Sequence, residues 1–296
     1  MLPLIRWRKV WFIFSGILVV LSLISLAFWG LKFGTDFTGG SLLEYEYSSN
    51  LPPIEEIRQK INETGIAGIA IQPTGEKGIL LRAPEIKEAD HQKILQLLGT
   101  DGEEKRFESI GPTIGQELRR TTFYATIVVL TFIVLYVSWA FRKVTRFGKI
   151  NAWAYGVATV IALIHDIMIL VGAFVLLGHF YGVEVNTPFV AALLTTLGYS
   201  VNDTIVVFDR IRENLLKSGS GESFAYIAEK SVNETVARSF STSFTAILTL
   251  IAIALFGGET IRYFVIALIV GVAAGTYSSI FIASPLLVWW EERNAA

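Results

Sequence analysis

The amino-acid sequence predicts a polytopic α-helical membrane protein with six transmembrane helices and a small α+β domain between the first two. The composition is the first observation, since 52% of the 296 residues are hydrophobic and 17% are charged. An ordinary soluble domain carries about 25% charged residues. The second observation is that the apolar residues form six stretches, each near the ~20 residues that a spanning helix needs. The third is one long polar segment after the first stretch.

The six apolar stretches define the expected transmembrane helices. We expect the first to remain in the protein, because its apolar run is longer than the roughly 7–15-residue core of a signal peptide. The fifth is short and is bordered by Gly257-Gly258, which leaves its ends uncertain. The expected spans are Val10–Leu31, Thr121–Phe141, Ile150–Leu177, Thr187–Phe208, Phe240–Phe256 and Tyr263–Trp289.

Basic residues predict the orientation of these helices, because cytoplasmic loops carry an excess of Lys and Arg. They cluster in the N-terminal tail, in the loop between the second and third spans, and in the connection between the fourth and fifth. These are Arg6, Arg8 and Lys9, then Arg142, Lys143, Arg146 and Lys149, then Arg210, Arg212, Lys217, Lys230 and Arg238. We therefore expect both termini in the cytoplasm and the long polar segment on the outer side.

The predicted domain organisation has three parts. Residues 1–33 form the cytoplasmic tail and the first helix, residues 34–120 form the outer domain, and residues 121–296 form the other five helices. The last part includes a segment at about 210–237, which begins with interfacial charges and continues through a short flexible linker, Ser218–Gly221. Apolar residues at helical spacing in Glu222–Val236 then predict an amphipathic helix lying on the inner membrane face.

The outer domain reads as an alternation of strand and helix patterns. Strand-like segments at Ser41–Tyr47, Ile66–Gln72, Gly78–Ala83 and Lys105–Ile110 are interrupted by helical patterns at Pro53–Thr64 and Lys87–Leu98. The resulting order β-α-β-β-α-β is that of the ferredoxin-like unit. We expect His91 to be a solvated residue on a polar helix surface, since no convergent partner accompanies it. The domain shows no catalytic cluster, so the sequence does not predict an enzyme.

Polar side chains inside the spans are the strongest functional signal. Asp203 lies in the fourth span, where a carboxylate costs roughly 2.5–3.5 kcal/mol on insertion scales and persists mainly where it faces a bundle interior or a wet cavity. Thr196 and Ser200 share its helical face at i−7 and i−3, and Asn202 lies beside that face. The third span contributes His165 and Asp166. The fifth begins with a second polar stripe, formed by Arg238, Thr242, Thr245 and Thr249.

These groups have the chemistry of an intramembrane proton carrier. Burial favours the neutral form of a carboxyl group and a nearby guanidinium favours its ionised form, so Asp203 and Arg238 together can couple protonation to conformation. Interhelical hydrogen bonding is the alternative for Ser200, Asn202 and the threonines. Arg238 has its own alternative, a place at the cytoplasmic edge of the membrane. Metal binding is not expected at His165 and Asp166, because adjacent helical residues point about 100° apart. The chain has no cysteine, which excludes disulfides and thiolate sites.

Several motifs resemble one family. Gly34–Gly40 carries Asp36, Phe37, Gly39 and Gly40 in the pattern G-x-D-F-x-G-G, and Gly111–Leu118 carries Gly111, Pro112 and Gly115 in the pattern G-P-x-x-G-x-E-L. Ala162–Asp166, the long motif Gly198–Asn214 and the segment Ser231–Ser239 extend the match over almost the whole chain. Together they resemble the SecF family of bacterial protein-export machinery, in the resistance-nodulation-division superfamily.

The resemblance implies a function and a set of partners. It implies a multi-pass protein of the bacterial inner membrane that works with SecD, as a separate polypeptide, at the SecYEG channel. It implies that the proton motive force drives late translocation of an unfolded protein, while ATP-driven SecA performs the early steps. YajC, YidC and membrane lipids are further candidate partners, and no nucleic acid is expected. By matching position, Asp203 and Arg238 are the proton-pathway residues, with His165 and Asp166 beside them and Thr242, Thr245, Thr196, Ser200 and Asn202 as supporting polar groups.

Three questions stay open at the level of sequence. No cofactor is expected beyond the ion gradient, but a carboxylate with hydroxyl neighbours suits sodium as well as protons. A small-molecule or lipid exporter of the same superfamily is one alternative function, although such pumps usually have about twice as many helices. A passive scaffold of the translocon, without ion flux, is the other.

Overall fold

The computed structural model describes residues 1–66, 68–142, 151–218 and 222–295. The chain separates into two compact units, one formed by Met1–Lys32 with Tyr124–Ala296 and the other by Phe33–Phe123. The expected basic residues Lys143, Arg146 and Lys149, together with Ile150 and residues 219–221 of the expected linker, lie outside the described residues.

The elements follow one another in a simple order. They are α1 (Arg8–Trp29), α2 (Thr35–Thr38), β1 (Gly40–Tyr47), α3 (Ile54–Asn62), β2 (Ala70–Thr74), β3 (Gly78–Ala83), α4 (Glu88–Leu98), β4 (Gly102–Ile110), α5 (Pro112–Ala140), α6 (Ala152–Tyr181), α7 (Thr187–Lys217), α8 (Phe224–Phe256), α9 (Glu259–Ser278), a π-helical segment (Ser279–Ala283) and α10 (Ser284–Ala295).

The prediction of a polytopic helical protein with six spans and a small sheet domain is confirmed. Six helical stretches in the described part of the chain are long and apolar enough to cross a membrane. Five of them are α1, α5, α6, α7 and α8, and the sixth runs through α9, the π-helical segment and α10.

Three of these helices extend well beyond their apolar stretches, and the first of them, α5, begins at Pro112 instead of Thr121. Helix α7 continues to Lys217 instead of ending at Phe208, and α8 begins at Phe224 instead of Phe240. The segment expected as a separate amphipathic helix on the membrane is therefore the start of α8. Its apolar residues Phe224, Ile227, Ala228 and Val232 are buried in the protein core against the end of α7, not turned toward lipid. An amphipathic pattern alone does not distinguish a helix that lies on a membrane surface from one that packs into a protein core.

The N-terminal tail folds against α8. Asn233 makes a reciprocal pair of hydrogen bonds with Leu2, accepting from its N–H at 2.7 Å and donating to its C=O at 3.0 Å. The carboxylate of Glu229 accepts the backbone N–H groups of Ile5 and Arg6 at 3.1 Å. Ile5 is 2% exposed and belongs to the core of the membrane unit. The tail, which the sequence offered only as an orientation signal, is thus a packed structural element.

The outer unit is a four-stranded antiparallel sheet in the order β2-β3-β1-β4. The order in which strands and helices follow one another, β1-α3-β2-β3-α4-β4, together with this strand order, matches the expected ferredoxin-like arrangement. Alternate residues of β1, among them Leu43 and Tyr45, point toward the two helices and join Ile57 and Ile94 in one apolar core. This core is separate from that of the membrane unit.

The expectation of a solvated His91 is wrong. The residue is 5% exposed and its ring stacks on Phe107 with 3.7 Å between ring centroids. Its Nε2 lies 3.1 Å from Glu104 of β4 and its Nδ1 lies 3.5 Å from Glu88 of its own helix. Hydrogen bonds from Gln92 and His91 hold the pKa of Glu88 below its usual value. His91 therefore links α4 to β4. The sequence did not predict this contact, because Glu104 lies on a different element and becomes a neighbour of His91 only in the folded domain.

We expect His91→Ala to destabilise the outer unit by about 2 kcal/mol, because it removes a buried ring and two hydrogen bonds to charged groups. The measurement is the midpoint of thermal unfolding of the full-length protein, combined with limited proteolysis of residues 33–123. Gln92→Ala is the matched control, since Gln92 is an exposed neighbour on the same helix. Equal protease sensitivity of the two variants would contradict the assigned role.

Candidate functional site

Asp166 is the centre of a buried hydrogen-bond network in the membrane unit. It lies on α6 and is 5% exposed. Its Oδ2 accepts hydrogen bonds from Ser200 of α7 at 2.7 Å and from Ser278 of α9 at 2.8 Å. Its Oδ1 lies 3.0 Å from Nδ1 of His165. One carboxyl group therefore joins three spanning helices.

Asp203 occupies a different kind of environment. It is 8% exposed, and it lies near the middle of α7, 16 residues after Thr187 and 14 before Lys217, or about 24 and 21 Å at 1.5 Å per residue. The hydroxyls of Ser239 and Ser279 lie beside its carboxyl group. Even so, its Oδ2 and the Oγ of Ser239 are both buried without a hydrogen-bond partner in the described part of the chain. The site holds a carboxyl oxygen with unused hydrogen-bonding capacity.

Small residues on α9 let that helix approach α7 closely. A Cβ atom at Gly275 would lie 2.7 Å from the Cβ of Ser200, and one at Gly271 would overlap Thr196. Only a glycine leaves room at these two points, which is the usual means of close approach between helices in membranes. The same approach brings Ser278 within hydrogen-bonding distance of Asp166.

The π-helical segment begins one residue after Ser278 and widens the helix at this level. Ser279 Oγ contacts Thr204 Oγ1 at 2.9 Å and donates to the backbone C=O of Gly275. Of two consecutive serines, Ser278 therefore donates to Asp166, and Ser279 lies beside Asp203. Single π-helical turns are frequent at functional sites. These serines were not predicted from the sequence, although the polar run Thr276-Tyr-Ser-Ser279 inside an apolar span indicates a buried polar site.

The polar stripe expected on α8 faces outward from the described bundle. Thr242, Thr245 and Thr249 are exposed, and each donates to a backbone C=O of its own helix. Arg238 is also exposed and makes no ion pair with Asp203 within the described residues. It lines a cavity of about 440 Å³ with Asp209, Glu213 and Glu234. The approach of Arg238 to Asp203 therefore stays a prediction for another conformation.

The inward face of α8 carries serines that were not predicted from the sequence. The buried polar residues of this helix are Ser231, Thr235, Ser239 and Ser243, at intervals of four residues. Because residues four apart share a helical face, this spacing was the signal that could have found them. Ser243 contacts Thr276 of α9 and Tyr199 of α7, and Ser239 reaches the Asp203 region.

The other expected site residues occupy distinct positions. Thr196 is buried and donates to its own helix at Leu193, whereas Asn202 is exposed. Nε2 of His165 is buried without a partner in the described part of the chain, with the Tyr277 ring 5.9 Å away, centroid to centroid. No group of three or more His, Asp or Glu residues that could hold a metal occurs among the described residues.

The two glycine motifs meet within the outer unit. Gly39 and Gly40 have positive φ angles of 73° and 125°, which a residue with a side chain rarely adopts. A Cβ at Gly39 would lie 2.7 Å from the Cα of Pro112, and one at Gly115 would lie 2.9 Å from the N of Gly39. Phe37 is buried, whereas Asp36 is half-buried. The motifs therefore encode close backbone packing between the start of β1 and the start of α5.

The chain is similar to known protein families and to individual proteins of known name. The family model "Protein export membrane protein SecD/SecF, C-terminal" matches residues 90–293, and the model "SecD/SecF GG Motif" matches residues 24–50. The protein translocase subunit SecF of Thermobaculum terrenum is 40% identical, with 99% of this chain and 95% of that protein covered. The protein of the same name from Desulfurispirillum indicum is 41% identical, with 99% and 92% covered.

Solved structures of SecDF are similar to the chain as well. The crystal structure of SecDF from Thermus thermophilus, described as a translocon-associated membrane protein, matches 98% of this chain with a TM-score of 0.82 and 33% identity. SecDF in the super-membrane-facing form matches 99% with a TM-score of 0.69 and 32% identity. The chain covers 38% and 39% of these two SecDF chains.

We expect Gly275→Ala to weaken the contact of α9 with α7, because the added methyl group overlaps Ser200 and strains the bonds at Asp166. Overpacking of this kind costs roughly 1–3 kcal/mol. Gly198→Ala on α7 is the matched control, since a Cβ there meets open space. The measurement is the thermal unfolding midpoint of the two purified variants in the same detergent. A midpoint for Gly275→Ala equal to or above that of Gly198→Ala would contradict this packing.

Proposed function

The chain belongs to the SecF family, and on that premise we propose that it works with SecD to assist protein translocation, driven by protons that bind Asp203. The observation that carries the ion-coupling part of this proposal is the buried, unsatisfied carboxyl oxygen of Asp203 in the middle of α7. A carboxylate at this depth costs several kcal/mol and is retained mainly where it serves a function.

The neighbouring hydroxyls give the proton a structural consequence. A protonated carboxyl group donates one hydrogen bond, whereas an ionised one only accepts. Hydroxyls such as those of Ser239 and Ser279 can do either, so protonation of Asp203 changes which hydrogen bonds it can form with α8 and with the π-helical segment. The contact between these helices changes when the proton binds or leaves. In this mechanism the outer domain then moves with the helices and holds the emerging chain.

Asp166 has a positioning role in the proposal. Its oxygens are already occupied by Ser200, Ser278 and His165, so it resists rearrangement and keeps α6, α7 and α9 together. Arg238 biases the ionised state of Asp203 when α8 turns toward it. Neighbouring residues on a helix point about 100° apart, so a rotation of that order exchanges Ser239 for Arg238 at the site.

The outward face of α8 is the proposed contact with SecD. Polar side chains of spanning helices normally face other helices, whereas Arg238, Thr242 and Thr245 are exposed in this chain. A helix of SecD covers them and supplies a partner for the guanidinium. SecYEG, YajC and YidC are further proposed partners. Both termini lie in the cytoplasm and the outer domain lies in the periplasm in this proposal.

We expect Asp203→Asn to abolish the proton current of the complex with SecD in proteoliposomes and to stop gradient-dependent export, because an amide does not titrate in this range. Asp209→Asn is the matched control, since Asp209 is an exposed carboxylate on the same helix. Assembly with SecD should be unchanged in both variants.

The same assay separates the alternatives. A current that Asp203→Asn leaves intact, at equal protein level, would refute the assignment and favour a passive scaffold. Repeating the assay with a sodium gradient and no proton gradient identifies the coupling ion. A current carried by sodium alone would overturn the proton while leaving the site in place.

We expect Thr245→Cys to cross-link with single cysteines in a spanning helix of SecD. The absence of native cysteine in this chain makes the reaction specific. Ser243→Cys is the control, because Ser243 is buried against Thr276 within the chain. Cross-linking of both variants to the same extent, or of neither at any SecD position, would contradict the proposed contact.

A further inference from the structure

An apolar groove runs between α1 and α6, away from the polar core. It encloses about 620 Å³, and its lining is apolar apart from Ser22 and Ser25. Leu21, Ile24 and Phe28 of α1 form one wall, while Ile169, Ala173 and Leu176 of α6 form the other. The volume lies within the range of small-molecule sites, roughly 300–1,000 Å³.

The floor of the groove is fixed by close packing of the two helices. A Cβ at Gly172 of α6 would overlap the side chain of Ser22 on α1. This glycine brings the helices together at one level, and the larger side chains on either side of the contact hold the groove open. Phe28 is 82% exposed, so the groove is open along its outer side. Both helices are long and apolar enough to span a membrane, so we expect that side to face the hydrocarbon of the bilayer.

One end of the groove has the features of a headgroup site. Trp29, at the end of α1, stacks on His179 of α6 with 4.3 Å between ring centroids. The stem of Lys32 packs over Gly178, with Cβ and Cγ 3.7 Å from the position of a Cβ there, and the residue is exposed. Trp at this level is typical of the membrane interface, where Lys extends its charge to the headgroups.

The charges at this end complement a phosphate group. Helices α1 and α6 both end here, and the carbonyl ends of helices carry partial negative charge. Lys32 supplies a cationic group that offsets this potential for an anion, and the exposed imidazole of His179 offers a ring nitrogen that can donate a hydrogen bond to a phosphate oxygen. Apolar walls below and these two groups above match the two parts of a phospholipid.

We propose that the groove between α1 and α6 binds one phospholipid, with an acyl chain between the helices and the phosphate at Lys32 and His179. The bound lipid fills space that α1 and α6 leave open, and so ties α1 to the helix that carries Asp166. The site lies on the side of α6 that faces α1, apart from the hydroxyls of α7 and α9 that bind Asp166. Its occupancy does not depend on ion flux.

The test uses the full chain assembled with SecD, stripped of lipid in detergent and then given dipalmitoyl phosphatidylglycerol. Native mass spectrometry counts the phospholipids retained by each complex. We expect one tightly held lipid, at least threefold depleted in Ala173→Phe, which fills the groove, and in Lys32→Gln, which removes the basic group. Leu23→Phe and Lys9→Gln are the matched controls, since both residues are exposed on α1 outside the groove.

Palmitate and inorganic phosphate, each added alone, separate the contributions of chain and headgroup. Competition by palmitate that Ala173→Phe abolishes supports the acyl-chain position. Retention of lipid by Ala173→Phe and Lys32→Gln at the wild-type level would overturn the proposal. So would equal loss in the two controls, or a lipid that binds the chain alone and is displaced when SecD assembles. Because Lys32 is exposed, its variant tests the site even if Ala173→Phe folds poorly.

Discussion

The structure of the membrane unit depends on two carboxyl groups that have left water. A carboxyl group within the hydrocarbon needs hydrogen-bond donors from the protein, because lipid supplies none. Asp166 obtains them from Ser200 and Ser278, and these bonds require α6, α7 and α9 to meet at one level. The glycines of α9 make that approach sterically allowed. Close packing of α9 on α7 and the hydrogen bonding of Asp166 therefore depend on each other, so a change that disturbs one of them disturbs the other.

The carboxyl group of Asp203 is only partly supplied with hydrogen-bond partners. Its Oδ2 lacks a partner in the described chain although two hydroxyls lie beside it. An unpaired buried polar atom costs roughly 1–3 kcal/mol, and a fully optimised structural site would have removed that cost. In the proposed mechanism, Asp166, whose oxygens are paired, holds the helices together, and Asp203, whose Oδ2 is unpaired in the described chain, binds the proton.

The sequence predicted the parts of the fold that depend on short-range patterns. Apolar length identified six spans, and alternating strand and helix patterns identified the order of the outer domain. It could not predict that α8 starts at Phe224, because the same amphipathic pattern serves a lipid surface or a protein core. It placed His91 in solvent because Glu104 and Phe107 become its neighbours only in the folded sheet. Contacts between distant segments were the common cause of error.

The polar stripes on α8 illustrate the same lesson within the candidate site. Arginine and threonine drew attention to the outward face, while Ser231, Thr235, Ser239 and Ser243 form the inward face. Serine and threonine are both favoured where helices pack closely, so residue type alone did not distinguish the two faces. In the proposed complex, the outward stripe is the surface that SecD covers, because Arg238, Thr242 and Thr245 are exposed. In the proposed mechanism, α8 faces the buried carboxyl group of Asp203 on one side and SecD on the other, so a rotation of α8 on proton binding changes both contacts.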